Sequence, residues 1–523
     1  MSYALLRLSS LIFLIVNFYE IKSDIISEET PRVFNRPRYP SLAQIIISEP
    51  SLLSPNLSVL ESIQNCFTLL STAVRVIHDN SFVDYGHLMD VRRMYDRCVR
   101  GIPFSEYVSE SSSPSDTHTL IEDYFLSKRQ RMESLLPSYE EHCKKSINNE
   151  SGLIELVSLE RGSPTDPHKK GNFYLTSVHH LEHHADQLEY LVKLGELPPP
   201  FLDITYNIRW KVIPEMLKAV GGDGCIYDVS TRSHSTGCHP DFRRSTFLLN
   251  PWMTDIMQGT FNTLIHMPSP LPLRSTNPFC LNPKLDFEEI QQAYLAGKVL
   301  VIDNLLTPDC LSELRRLALE GTIFYDGKKS YVGAYIDQGM GESPWLLQLS
   351  EEWRARFPKI LNFPLSTSWF YKYDSVSSEA GGIGIHADQA IVNINIWITP
   401  DDANLDPDSG GLIVYDTAPP VEEVFGSDFA KWNNERFEGD RMDWLNANEA
   451  KHINIPYRCN RAVVFDSRRL HKTDTYTFKK EYEMRRINLT LLFGMVDDVG
   501  EDIGSKRGDN GKFPNEASIH TAT

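Results

Sequence analysis

No two cysteines in this chain are spaced as CxxC. The eight cysteines, at 66, 98, 143, 225, 238, 280, 310 and 459, are scattered through 523 residues. That is too thin for a disulfide framework, and they read as mostly buried thiols. A stripe of lysine and arginine is also missing. Acidic residues outnumber basic ones, 70 to 52, for a net charge of −18. General nucleic-acid binding depends on neutralising phosphates and is excluded on that balance; a neutral or cationic ligand suits it better. The apolar run near the start, Leu8 to Val16, is far shorter than the roughly 20 residues of a membrane span, so no transmembrane segment is expected. There is no convincing internal repeat.

What is present is enough apolar residue for real cores, 41%, over a length that predicts two or three domains. Residues 1–23 have the outline of a signal peptide with a weak basic start, or of an N-terminal helix docked on the body. The first reading sends the chain to the secretory pathway and the ER lumen and makes Asn56 and Asn149 glycosylation acceptors. The second leaves it cytoplasmic.

A helical domain is expected over 58–220. Ser58 and Glu61 make a capping box, and Leu60, Ile63, Phe67, Leu70, Val74 and Ile77 form a helical stripe behind it. LIEDYFLSKRQRMESLL and TSVHHLEHHADQLEYLVKL predict further helices, the second stopped by Gly195. Within it, His179/His183 and His180/His184 are i, i+4 pairs that suggest a metal. They flank the stripe of Val178, Leu181, Ala185, Leu188 and Val192, and a polar or boundary face is the better reading. Residues 221–295, rich in Gly, Pro, Ser and Asn, predict an irregular connecting segment. Cys225, His234, Cys238 and His239 within it match no common zinc spacing and read as an ordinary loop.

The texture changes after 295. KVLVIDNLL is β-rich, and Thr307-Pro308 supplies an N-cap and first-turn proline for a helix ending at Gly321. Short strand candidates follow in STSWFYKYD, AIVNINIWIT, GGLIVYD, RAVVFDS and RRINLTLLFG. Many short strands without regularly interleaved helices predict an antiparallel sandwich or jelly roll. The chain is therefore α+β, with a strand-rich domain over 296–495 and a loose polar tail over 496–523.

The chemistry gathers in that domain. In GGIGIHADQAIVNINIW, His386 and Asp388 are two apart, and in an extended strand both point to one face. RAVVFDSRRLHKTDTY ends a strand in a turn and presents His471. Two histidines and one carboxylate on neighbouring strands make a facial triad with three open octahedral positions, the pattern of non-haem Fe(II) oxygenases. RRINLTLLFG splits into a polar face, Arg486, Asn488 and Thr490, and an apolar one, Ile487, Leu489 and Leu491. Arg486 on the polar face can hold a dicarboxylate bidentately; Arg485 takes its place if the register slips by one. Tyr373 and Asn395 are positioned to hydrogen-bond a co-substrate or substrate, or to serve as ordinary barrel packing.

From about Val299 to Gly494 the chain resembles the 2-oxoglutarate/Fe(II)-dependent dioxygenase superfamily, in the neighbourhood of prolyl hydroxylases and phytanoyl-CoA hydroxylase. The matching pieces are VLVIDNLLTPDCLSELRRL, the HAD triplet, the Gly410-Gly411 turn, NRAVVFDS leading to His471, and RRINLT. The resemblance implies a double-stranded β-helix, with Fe(II) on His386, Asp388 and His471 and the distal carboxylate of 2-oxoglutarate on Arg486. Ascorbate is a further cofactor of this neighbourhood. Asp388 stands where the family's halogenases have a small residue, which favours hydroxylation, with release of succinate and CO2, of a protein side chain or small molecule. A homodimer is a further expectation. The first 220 residues carry no such resemblance. Two other readings stay open: a catalytically idle binding module whose helical part does the recognition, and a cupin-like protein using another metal.

Overall fold

The computed structural model of the chain describes residues 104, 121, 123–126, 175–220, 227–228, 233–234, 247–249, 251–269, 279–328, 330–336, 340, 343–361, 365–375, 382–419, 438–494 and 519–522. The N-terminal segment, the capping-box helix at 58, both glycosylation triplets and most of the Cys225–His239 cluster lie outside these residues.

The long helix α1 spans Val178–Leu194. Ser177 caps it by accepting from the His180 amide, and Gly195 ends it in the left-handed conformation at φ 82°, which glycine adopts without penalty. It is followed by Phe201–Asn207, a π-helical turn Ile208–Val212, and Ile213–Val220. One side of α1 enters an apolar cluster with Phe201, Ile204, Ile208 and Met253. Its other side is polar and equally buried. His179, His180, His183, His184, Asp186 and Gln187 are all less than 8% exposed. The expected polar or boundary face is thus polar, and it lies fully inside the protein rather than at a boundary. That face docks on the strand-rich part, where His180 Nε2 donates to Phe324 O at 2.9 Å and Gln187 donates to Leu319 O and Gly321 O.

Helix α2, Phe287–Leu295, is capped by Asp286, whose carboxylate accepts from the Glu289 amide. It corrects the irregular segment expected through 295. The remaining elements are β1 (Val299–Ile302), α3 (Pro308–Glu320), β2 (Tyr331–Tyr335), α4 (Pro344–Arg356), β3 (Leu365–Tyr373), β4 (Val392–Trp397), β5 (Leu412–Tyr415), β6 (His452–Ile455), β7 (Ala462–Asp466), β8 (His471–Thr473), β9 (Ile487–Phe493) and β10 (Ile519–Ala522). Helix α3 begins as its sequence predicts, with Thr307 accepting from the Cys310 amide and proline in the first turn.

Two sheets form. The larger runs β10-β1-β7-β4-β9-β3-β2 and ends on the two-residue strand Asp326–Gly327; the smaller runs β6-β5-β8. All their pairings are antiparallel except that of β10, which lies parallel to β1. A strand at 519–522 thus replaces the end of the expected loose tail. Antiparallel sheets with helices are an α+β architecture.

Period-two alternation divides the larger sheet into two faces. Ile394, Ile396, Ile487, Leu489, Leu491 and Val464 pack under α3 and α4. Val301, Tyr373, Trp397, Val463 and Phe465 face the smaller sheet and share a second cluster with Leu412, Val414 and Ile455. The site lies between the sheets.

Candidate metal and co-substrate site

His386 and Asp388 are not in a strand. They precede β4 in an irregular segment held by its backbone. The amides and carbonyls of His386 and His471 bond each other at 3.0 and 2.8 Å, and the Asp388 amide donates to Ser467 O at 3.0 Å. The strand expected for the triplet is corrected, yet the side chains still converge. His386 Nε2 lies 3.8 Å from Asp388 Oδ1, and His471 Nε2 lies 3.5 Å from Asp388 Oδ2. The ligand atoms of the three residues all fall within 4.8 Å of one another.

Each imidazole is fixed from behind. His386 Nδ1 lies 2.8 Å from Gly384 O and His471 Nδ1 lies 2.9 Å from Arg469 O. A carbonyl only accepts, so both Nδ1 atoms carry a proton and both Nε2 atoms turn toward Asp388. Such back-side contacts orient metal ligands and raise their basicity. Asp388 Oδ2 in turn accepts from Asn393 Nδ2 at 2.7 Å. Two imidazoles and a carboxylate on one side of a cavity are a donor set that fits a divalent first-row metal with positions left open.

A cavity here is lined by His386, Asp388 and His471 together with Tyr373, Asn395, Thr490 and Arg486. All seven candidate residues from the sequence therefore meet at one place. Arg486 is 1% exposed. Its Nε donates to Gly410 O at 2.7 Å and its Nη2 to Gly411 O at 3.3 Å, and the guanidinium sits 4.4 Å over the Tyr373 ring. Nη1 is buried and has no partner among the described residues. The Gly410-Gly411 turn thus aims the arginine with its carbonyls, leaving one donor face unspent.

Arg485 points the other way. Its Nη2 meets Asp186 of α1 at 2.5 Å, and Asp186 Oδ1 also accepts from Arg209 at 2.8 Å. Beside it, Lys372 donates to Ala318 O and to the Tyr482 hydroxyl. Burial, then the charge of Arg485, holds the Lys372 amine well below its ordinary range. The alternative anchor is thereby committed to docking the helix.

Several cavity residues escaped sequence reasoning. Trp369 and Tyr371 line it from β3, while Asn488, already placed on the polar face of its strand by alternation, lines it from β9. Asn393 reaches Asp388 from β4. The signal for Asn393 was available: asparagine is depleted in strand interiors, and VNINIW places two of them on one face. Asn488 Oδ1 is buried without a partner among the described residues.

No protein-family model matches the chain, and no curated protein matches it. Solved structures similar to it include a Trichoplax adhaerens prolyl hydroxylase bound to a peptide fragment of the hypoxia-inducible factor oxygen degradation domain. It is 14% identical, covers 40% of this chain and 90% of its own, and has a TM-score of 0.28. A Pseudomonas putida prolyl-4-hydroxylase is 14% identical over 41% of this chain and 98% of its own, with a TM-score of 0.25. A Burkholderia pseudomallei oxidoreductase of the 2OG-Fe(II) oxygenase family is 11% identical over 43% and 95%, at 0.27. Likeness of this size decides nothing about chemistry; the side-chain geometry does. Among the described residues, no helix is long and apolar enough to cross a membrane.

Proposed function

We propose that the chain is a non-haem Fe(II), 2-oxoglutarate-dependent oxygenase that hydroxylates a protein side chain or a small molecule. On this reading the two packed sheets are the double-stranded β-helix of that superfamily. One observation carries the proposal. Two imidazoles and a carboxylate converge at one part of a cavity that also holds a buried guanidinium with an unspent donor.

His386 Nε2, His471 Nε2 and an Asp388 oxygen are the groups that would hold the metal. When bound, Fe(II) supplies the chemistry of oxidative 2-oxoglutarate decarboxylation by O2, giving succinate, CO2 and a hydroxylated substrate. Arg486 is the anchor for the distal carboxylate. Its two carbonyl contacts and the Tyr373 ring fix it beforehand, so little side-chain freedom is lost on binding. Trp369, Tyr371, Ile383 and Leu412 line the cavity and displace water from it. A binding module without chemistry has no use for all four polar groups, and a metal protein without a dicarboxylate has none for the free face of Arg486.

The test is succinate formation from 2-oxoglutarate by the Fe(II)-loaded protein, beside an Asp388→Ala control. Slow uncoupled turnover, abolished in the control, is the expected result. No turnover together with no 2-oxoglutarate binding would overturn the proposal.

A further inference from the structure

Between Asp388 and Arg486 the cavity floor carries a chain of side-chain amides whose direction is forced. An ionised carboxylate only accepts, so Asn393 turns its NH2 to Asp388 Oδ2, at 2.7 Å. That leaves Asn393 Oδ1 for Asn395, whose Nδ2 donates to it at 2.6 Å. Asn395 Oδ1 then receives Asn488 Nδ2 and the Thr490 hydroxyl, each at 3.0 Å. Asn488 Nδ2 also donates to Thr490 Oγ1 at 2.8 Å. Rotating any one of the three amides by half a turn would set oxygen against oxygen or NH2 against NH2.

The register explains the assembly. Asn395 lies opposite Thr490 across β4 and β9, while Asn393 and Asn395 share a face of β4 and Asn488 and Thr490 share one of β9. All four are 6% exposed or less. Bulk water does not compete, and amides aligned head to tail polarise one another.

We infer that Asn395, which touches none of the metal-facing groups, is a positioning residue for Asp388, acting through Asn393. The inference rests on the metal site proposed above. The carboxylate decides which end of Asn393 faces it, and Asn395 holds the other end in place by donating to Asn393 Oδ1. The two donors on the Asn395 oxygen hold Asn395 in turn. Asp388 is thereby kept with one oxygen occupied from behind and the other toward the histidines.

The experiment uses Co(II) as the probe, read by its dissociation constant and by its visible ligand-field absorption on the full chain. Asn395→Leu and Asn395→Ala both remove the donor to Asn393, one keeping volume and one reducing it, and thermal melts identify which variant is folded. Loss of an outer-shell partner costs metal sites roughly 10–100-fold in affinity. The expected result is about tenfold weaker Co(II) binding with a shifted absorption band in the folded variant or variants. A folded Asn395 variant that binds Co(II) like the wild type with an unchanged band overturns the inference and leaves the metal site standing. A wild-type protein that binds no Co(II) overturns both. Because only the second outcome silences the wild type, the two failures are distinguishable.

Discussion

Arg485 and Arg486 are consecutive in the chain and serve opposite faces of the same sheet. The first is paired with Asp186 of α1, 299 residues earlier in sequence; the second is held over Tyr373 by the Gly410 and Gly411 carbonyls. One docks a helix and the other faces the cavity.

The two arginines should therefore fail differently. Arg486→Ala removes a charge-assisted bond worth about 1.5–3 kcal/mol, so 2-oxoglutarate affinity should fall roughly 10- to 150-fold, with Co(II) binding nearly unchanged. Arg486→Lys should recover only part of the loss, since an ammonium lacks the rigid fork. Arg485→Met leaves Asp186 buried and still paired with Arg209. Breaking a buried pair typically costs about 3–5 kcal/mol, and the surviving Arg209 contact places this case at or below the lower end. Unfolding midpoints and calorimetric titration separate the two effects.

Gly411→Ala is expected to damage both fold and site. A Cβ there would lie 1.8 Å from Ile455 O and 2.9 Å from the Trp397 ring. The backbone must move between β5 and β6, and overpacking of this kind costs about 1–3 kcal/mol. Because Gly410 and Gly411 hold Arg486, 2-oxoglutarate affinity should fall along with the melting temperature. A variant that melts like the wild type would show that the two strands part freely.

The buried histidines of α1 set a response to acid. Burial, with Lys372 and Arg485 nearby, holds His183 well below its ordinary value of 6.5, and burial lowers His184 to about 3. Both are neutral when folded, while the unfolded chain takes up their protons below 6.5. Their contribution is fully present above pH 6.5 and is lost as pH falls from there toward 3. The slope is at most about 1.4 kcal/mol per pH unit for each proton. Urea midpoints at pH 7, 6 and 5 should fall progressively, and His184→Leu should flatten the trend by about one proton.

Much of the site was legible because its residues obey short-range rules. Alternation in RRINLTLLFG puts Arg486 with Asn488 and Thr490 and leaves Arg485 on the other face, which is where the structure has them. Thr307-Pro308 and Gly195 mark helix ends by their own chemistry. What stayed hidden depends on partners far away in sequence. The histidines of α1 look like a polar surface until Phe324, Lys372, Tyr482 and Arg485 are brought over them. His386 and Asp388 converge through backbone bonds to His471 and Ser467, some 80 residues on, rather than through a strand of their own. Helix α2 was masked by the Gly- and Pro-rich stretch before it, although Asp286 is a sound cap.

The carbonyl oxygen of Asn488 is buried and meets no donor among the described residues. Leaving a buried acceptor without a donor costs roughly 1–3 kcal/mol. The NH2 of the same side chain donates to Asn395 and Thr490. One residue therefore carries two opposite parts: its nitrogen sets the direction of the amide chain, while its oxygen weakens the sheet that holds it.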